Sequence, residues 1–169
     1  MAEVVDKTED APTAQAASAA PVAEPTFDLN GKYRYKVDEK GRVSLPAKFR
    51  KVVSKDLVVT LSPEGDSLWV FESAGFNQWI IQVFKDRFGR YDSSDKRHVR
   101  MRSILKSRSE DVLVDSSGRI MLPAELRGKV DIDKDVVIVG NTGYFEIWDA
   151  KRFDEVGADD EELLDLLFH

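Results

Sequence analysis

Residues 37–50 read VDEKGRVSLPAKFR, and residues 114–127 read VDSSGRIMLPAELR. Eight of the fourteen positions are identical, at a constant offset of 77. Each copy carries an Asp-x-x-Gly-Arg turn in which Gly41 or Gly118 can take the positive φ of a tight hairpin. A short return strand follows, and Pro46 or Pro123 then stops it and fits the start of a helix. A motif of this length, repeated in order, indicates one structural unit encoded twice.

The flanks of the first copy extend the unit. In GKYRYKV (31–37), Tyr33, Tyr35 and Val37 alternate with Lys32, Arg34 and Lys36, the period of a half-buried strand whose exposed face is entirely cationic. The helix after Pro46 is expected to run to Lys55-Asp56. LVVTL (57–61) and SLWVF (67–71) then form a hairpin about a turn at 63–66. Ser73 is the expected N-cap of a helix with Phe76, Trp79, Ile80, Val83, Phe84 and Phe88 on one stripe, ended by Gly89. Residues 91–108 form a second, strongly basic helix. KDVVIVG (134–140) repeats KDLVVTL (55–61) at an offset of 79, and FEIW (145–148) returns to 77, which assigns a two-residue deletion to the second hairpin loop.

Two copies with the same strand and helix order each leave an apolar sheet face open, and packing them about a pseudo-twofold axis closes one core. The expected organisation is a disordered tail over 1–26, a first repeat over 32–75, connecting helices over 76–108, a second repeat over 109–152 and an acidic C-terminal helix over 153–169. Leu163, Leu164, Leu167 and Phe168 lie along one side of that last helix. The fold class is α+β.

The net charge of −6 over 169 residues hides a strong segregation. Residues 28–55 and 85–108 each sum to +6, whereas 131–169 sum to −9. Local field, not bulk charge, steers a polyanion. No apolar run is long enough to span a bilayer, and the N-terminus lacks the order of a signal peptide. A cytoplasmic protein without a membrane partner follows. With zero cysteines and only His98 and His169, thiolate and histidine metal sites are absent. No phosphate loop, nucleophile elbow or zinc-helix motif is present, so neither an enzyme nor a small-molecule, metal or cofactor site is expected.

The chemistry of the chain therefore rests on the turns. Arg42 projects from a hairpin that also carries Lys40, Lys36, Arg34 and Lys32, and a guanidinium meets phosphates or a guanine edge bidentately. A two-stranded ribbon is also one of the elements that fit a major groove. Arg119 occupies the matching place in the second turn, where no other cation accompanies it and an Asp–Arg bridge within the turn is the competing account. Asp38 and Asp115 are assigned to orienting their turns, with Gly41 and Gly118 setting the backbone. The cationic strand face also has a plain alternative, an edge strand kept soluble by its lysines. The basic 91–108 helix is read as solvated or paired with the acidic 159–165 segment, in the same subunit or the next.

The twice-repeated D-x-x-G-R-x-x-x-P-x-x-x-R, with F-E-I-W after the second copy, resembles the MraZ family of AbrB-like transcription factors from about Leu29 to Phe153. Gly31, seven residues before Asp38, matches too. Leu29 stands where the family usually has Phe, and Ser107 and Ser109 where it has small Gly and Ala. The resemblance implies a swapped-hairpin β-barrel with flanking helices, made within one chain by two AbrB-like halves. It further implies a nucleoid-associated regulator binding double-stranded promoter DNA at tandem repeats before the division and cell-wall gene cluster. It implies assembly into a homo-oligomeric ring of eight or twelve subunits, and DNA contact through the first signature arginine, Arg42. Some AbrB-like folds act instead as protein-interaction modules of the antitoxin kind.

Overall fold

The computed structural model describes residues 25–169, so the expected tail lies outside it apart from Pro25 and Thr26. The first repeat contains β1 (Lys32–Lys36), β2 (Arg42–Ser44), the single-turn helix α1 (Ala47–Arg50), β3 (Asp56–Leu61) and β4 (Leu68–Glu72). Two helices follow, α2 (Ser73–Phe88) and α3 (Lys96–Ser107). The second repeat gives β5 (Ser109–Leu113), β6 (Arg119–Met121), α4 (Ala124–Lys129), β7 (Asp135–Gly140) and β8 (Phe145–Asp149). The chain closes with α5 (Ala150–Val156), a 3-10 turn (Gly157–Asp159) and α6 (Asp160–Phe168). No described helix is long and apolar enough to cross a membrane.

The repeats interlock strand by strand. β3–β4 and β7–β8 are hairpins within a repeat, but β1 pairs with β7 and β5 with β3, so each repeat's first strand completes the other repeat's sheet. β4 and β8 join the halves, giving the antiparallel order β1-β7-β8-β4-β3-β5. β2 pairs only with β6, as a separate two-stranded ribbon. Val43 lies opposite Ile120, and Trp69 opposite Glu146; both pairs relate positions 77 apart, so the pseudo-twofold axis passes through them.

The strand alternation is as expected: Tyr33, Tyr35 and Val37 of the first segment pack on the core while Lys32, Arg34 and Lys36 are exposed. That core fills the space between the inner face of the sheet (Leu57, Val59, Leu68, Val136, Ile138, Phe145, Ile147) and the ribbon with its short helices. Val43, Ile120 and Phe49 are fully buried there, and Phe49 meets Tyr33 edge-on at 5.5 Å between ring centroids. On the outer face, Phe76, Ile80 and Phe84 of α2 cover Val58 and Phe71, and the Trp148 ring packs against Phe153 of α5.

The architecture is α+β from duplicated, strand-exchanging halves, but the hydrogen-bonded sheet is not closed into a barrel. β1 and β5 remain edges, and the ribbon carries the chain on from each of them without joining either ladder. The reason is local: the turns at Asp38–Gly41 and Asp115–Gly118 redirect the chain into an independent β2–β6 pairing. Several boundaries also differ from expectation. α1 stops at Arg50, well short of Lys55. Glu72, not Ser73, holds the N-cap position of α2 and gives no side-chain cap, because its Oε2 accepts the Ser54 N–H at 2.7 Å. α3 starts after Asp95, whose side chain accepts the Arg97 N–H. The shorter second hairpin loop is balanced by α4, which is two residues longer than α1, and Asp131 just beyond it takes φ 56°. Ser109 is satisfied by Thr60 Oγ1 and the Leu105 carbonyl, and Ser107 by the Ile104 carbonyl.

Candidate nucleic-acid interface

Each signature turn is built around its aspartate. In the first, Asp38 Oδ1 accepts the N–H groups of Lys40 (2.9 Å) and Arg42 (2.8 Å), while Oδ2 accepts Arg42 Nε at 2.8 Å. The Asp38 N–H donates to the Arg42 carbonyl, and Gly41, at φ 84°, donates back to the Asp38 carbonyl. Asp115 repeats the pattern with Ser117 N (2.9 Å), Arg119 N (3.0 Å) and Arg119 Nε (3.2 Å). The N–H of Arg42 is the main reason that the Asp38 carboxyl titrates below its ordinary value, against an opposing effect of burial, with the Arg42 guanidinium and the Lys40 N–H helping. Asp115 is lowered in the same way, chiefly by the Arg119 N–H. Both carboxylates are thus ionised and committed to their turns.

The pairing of β2 with β6 brings the two arginines together. With Val43 and Ile120 pointing into the core, Arg42, Ser44, Arg119 and Met121 share the outward face of the ribbon. Arg42 and Arg119 lie diagonally across the pseudo-twofold axis, and Arg119 Nη1 approaches Asp38 Oδ2 at 3.8 Å. Arg42 uses only Nε on Asp38, which leaves both its Nη groups without a protein partner among the described residues. Lys40 is exposed at the tip of the first turn, and Lys36 is exposed at the end of β1.

Arg34 is not part of that group. It forms an exposed 2.8 Å ion pair with Asp154 of α5, and Lys32 lies over the Phe153 ring at 5.8 Å. The outer face of β1 is therefore divided, with its start held by α5 and its end free beside the turn.

A second pair of arginines, the last residues of the two motifs, went unassigned as functional in the sequence and acts across the repeats. Arg50 lies directly against Gly118 and donates from Nη1 to the Ser117 carbonyl at 3.2 Å. Arg127 lies over Gly41 at a looser distance, with its Nε buried and unpartnered. Their repeated place at the end of each motif was visible in the sequence, but their contacts across the repeats come from the β2–β6 pairing, which no local pattern indicates.

On the far side of the sheet, a cavity of about 340 Å³ is lined by Phe71, Trp79, Gln78, Gln82 and Tyr144, and among the described residues no carboxylate, lysine or histidine lines it. Among the described residues, no three His, Cys, Asp or Glu side chains converge on a point where a metal could bind.

The family described as "MraZ protein, putative antitoxin-like" matches residues 29–94 and 107–164. The transcriptional regulator MraZ of Mycolicibacterium vanbaalenii is 34% identical over 146 residues, covering 81% of this chain and 98% of the relative. Those of Legionella pneumophila (31% over 122 residues, covering 70% and 77%) and Mycobacterium bovis (37% over 123 residues, covering 73% and 82%) are similar. The duplicated turns, the strand exchange and these matches across both repeats agree: the chain belongs to the MraZ family.

Proposed function

We propose that this chain is a DNA-binding transcriptional regulator that lays the outward face of the β2–β6 ribbon against the major groove of promoter DNA. The observation that carries it is the placement of Arg42 and Arg119, both half-buried, on one outward ribbon face, with Lys40 and Lys36 exposed beside the first turn. The relatives' name, transcriptional regulator, supports the same reading. Arg42, whose Nη groups are free, takes a phosphate pair or a guanine edge. Arg119 contributes less, since its own turn supplies no further cation, Arg50 beside it is bonded to the Ser117 carbonyl, and its Nη1 faces Asp38. Arg34 contributes least while Asp154 holds it.

A single such contact is weak and falls steeply with salt. A homo-oligomeric ring presenting several ribbons to tandem repeats raises affinity through effective concentration. In this reading the chain represses the division and cell-wall gene cluster from promoter repeats, in the nucleoid. An electrophoretic shift on tandem-repeat promoter DNA tests it: Arg42→Ala should abolish the shift at near-physiological salt, and parent-like binding by that variant would remove Arg42 from the interface.

The words "antitoxin-like" in the family's description favour a second reading, a protein-interaction module with DNA binding secondary. It requires that the parent chain give no specific shift.

A further inference from the structure

The first turn carries no surplus of charge by itself. Within residues 38–42, Asp38 and Glu39 offset Lys40 and Arg42. A further cation arrives from the second repeat. The pairing of β2 with β6, extended by the Leu122 N–H to the Gly41 carbonyl at 2.8 Å, sets the start of α4 against this turn. Arg127 of that helix then lies over Gly41, where a Cβ would come within 3.1 Å of Nη2 and 3.2 Å of Cζ. Gly41 has no side chain and takes φ 84°, so the guanidinium rests on the bare backbone that joins Lys40 to Arg42.

Arg127 differs from the other motif arginines in having no partner. Arg42, Arg50 and Arg119 each donate to a carboxylate or carbonyl of a turn. Among the described residues Arg127 donates to none. Its Nε is buried and unpaired, and Glu125, the acid of its own helix, lies 3.5 Å from Lys129 instead. The side chain is half-buried, and its Nη groups are not enclosed with Nε, so they stay open to an incoming oxygen. A guanidinium keeps its charge, and a half-buried one without a counter-charge gains by meeting an anion. Contact with the turn holds the plane of the group in advance, and the outward fork matches two oxygens of one phosphate. The second turn lacks this arrangement. Arg50, the equivalent of Arg127, gives Nη1 to the Ser117 carbonyl at 3.2 Å, and Ser117 stands where the first turn has Lys40.

We propose that Arg127 is a contact to a backbone phosphodiester of DNA, closing a site on the first turn with Lys40 and the Nη groups of Arg42. The binding unit is then composite, with the turn from one repeat and a guanidinium from the other. This deepens the ribbon reading and rests on it. It also gives the crossing of the repeats a use: the first turn reaches its full positive charge only when the second repeat is folded against it.

Salt titrations of the full chain on tandem-repeat promoter DNA test this. Arg127→Gln should reduce the slope of log affinity against log salt by about 0.9 for each copy engaged. Over a fourfold rise in salt, that variant loses about 3.5-fold less affinity than the parent for each contact removed. Arg127→Lys keeps the charge and should restore the slope, with affinity still below the parent because an ammonium cannot bind bidentately. Packing on Gly41 alone would instead lower the urea midpoint and leave the slope at the parent's value, which overturns the proposal. A slope in Arg127→Lys as low as in Arg127→Gln also overturns it. Phenylglyoxal labelling of the parent needs no substitution: Arg127 should react in the free chain and be protected by DNA, and equal labelling with and without DNA refutes the contact. Loss of the shift in Arg42→Ala with the parent slope kept in Arg127→Gln removes Arg127 alone. Parent-like binding by Arg42→Ala removes the ribbon reading, and a parent that binds no DNA removes both.

Discussion

Gly118→Ala should be costly for a reason that lies in the other repeat. Gly118 has φ 74°, a conformation in which an L side chain costs about 1–2 kcal/mol. A Cβ there would run into Arg50, with Nε at only 2.8 Å and Cδ and Nη1 closer still. Arg50 must therefore leave the turn and give up its bond to the Ser117 carbonyl, an exposed hydrogen bond of roughly 0.5–1 kcal/mol net. The sum is about 1.5–3 kcal/mol. Gly41→Ala meets a milder neighbour, the far end of Arg127 at 3.1 Å (Nη2) and 3.2 Å (Cζ), so about 1–2 kcal/mol is expected there. Urea unfolding at fixed protein concentration, followed by the fluorescence of Trp69, Trp79 and Trp148, measures both. In an Arg50→Ala background the obstacle is gone, and Gly118→Ala should fall to the backbone cost alone, a coupling of about 1 kcal/mol. Equal costs in the two backgrounds would refute the interlock of Arg50 with the second turn.

Four other outcomes follow from the same geometry. Arg119→Ala should weaken promoter binding less than Arg42→Ala in parallel titrations, and the reverse order would contradict the asymmetry of the turns. Asp38 titrates below its ordinary value of 3.8, so its contribution to stability is present above that value and lost as pH falls through the lower, folded value. Asp38→Asn keeps an oxygen acceptor for the turn and should flatten acid unfolding in that window, which a pH series of urea midpoints would reveal. Glu146 is raised above 4.5, mainly by burial, so its charged form opposes folding at neutral pH. Glu146→Gln should raise the melting temperature at pH 7, with the gain shrinking as pH falls toward 4.5; a constant gain across pH would argue against burial as the cause. Asp154→Ala releases Arg34 from an exposed pair, so stability should change by under about 1 kcal/mol while DNA affinity rises; unchanged affinity would place the start of β1 outside the interface.

What could be read from the residues was set by short-range periodicity. The alternation in 31–37 identified which face of β1 is buried, and the turn glycines and prolines located β2, β6 and their helices; the expected hairpin of β1 with β2 does not form, because β1 pairs with β7 and β2 with β6. The stripe from Phe76 to Phe84 identified the face of α2 that covers the sheet, although Val83 and Phe88 on the same stripe stay exposed because no sheet lies beneath them. Periodicity is silent on partners. Nothing local in KYRYK indicates β7, and nothing in Arg34 indicates an aspartate in α5. The same gap hid the shared face of Arg42 and Arg119, which only the β2–β6 pairing creates. Ser73 resembled a cap because its chemistry is right, but Ser54 had already engaged the carboxylate of Glu72 that settles the entry to α2.

The exchange of first strands has a consequence for how the chain acquires its structure. Lys32 is registered with Val139, so β1 has no hydrogen-bonding partner until β7 has been synthesised. Throughout translation of the intervening segment, a strand with two tyrosines on its core side waits without a sheet. Pairings so distant in sequence require closure of a long loop before any return, which places this topology among the slow folders. A chain halted anywhere before β7 leaves β1 as an open edge available to other chains.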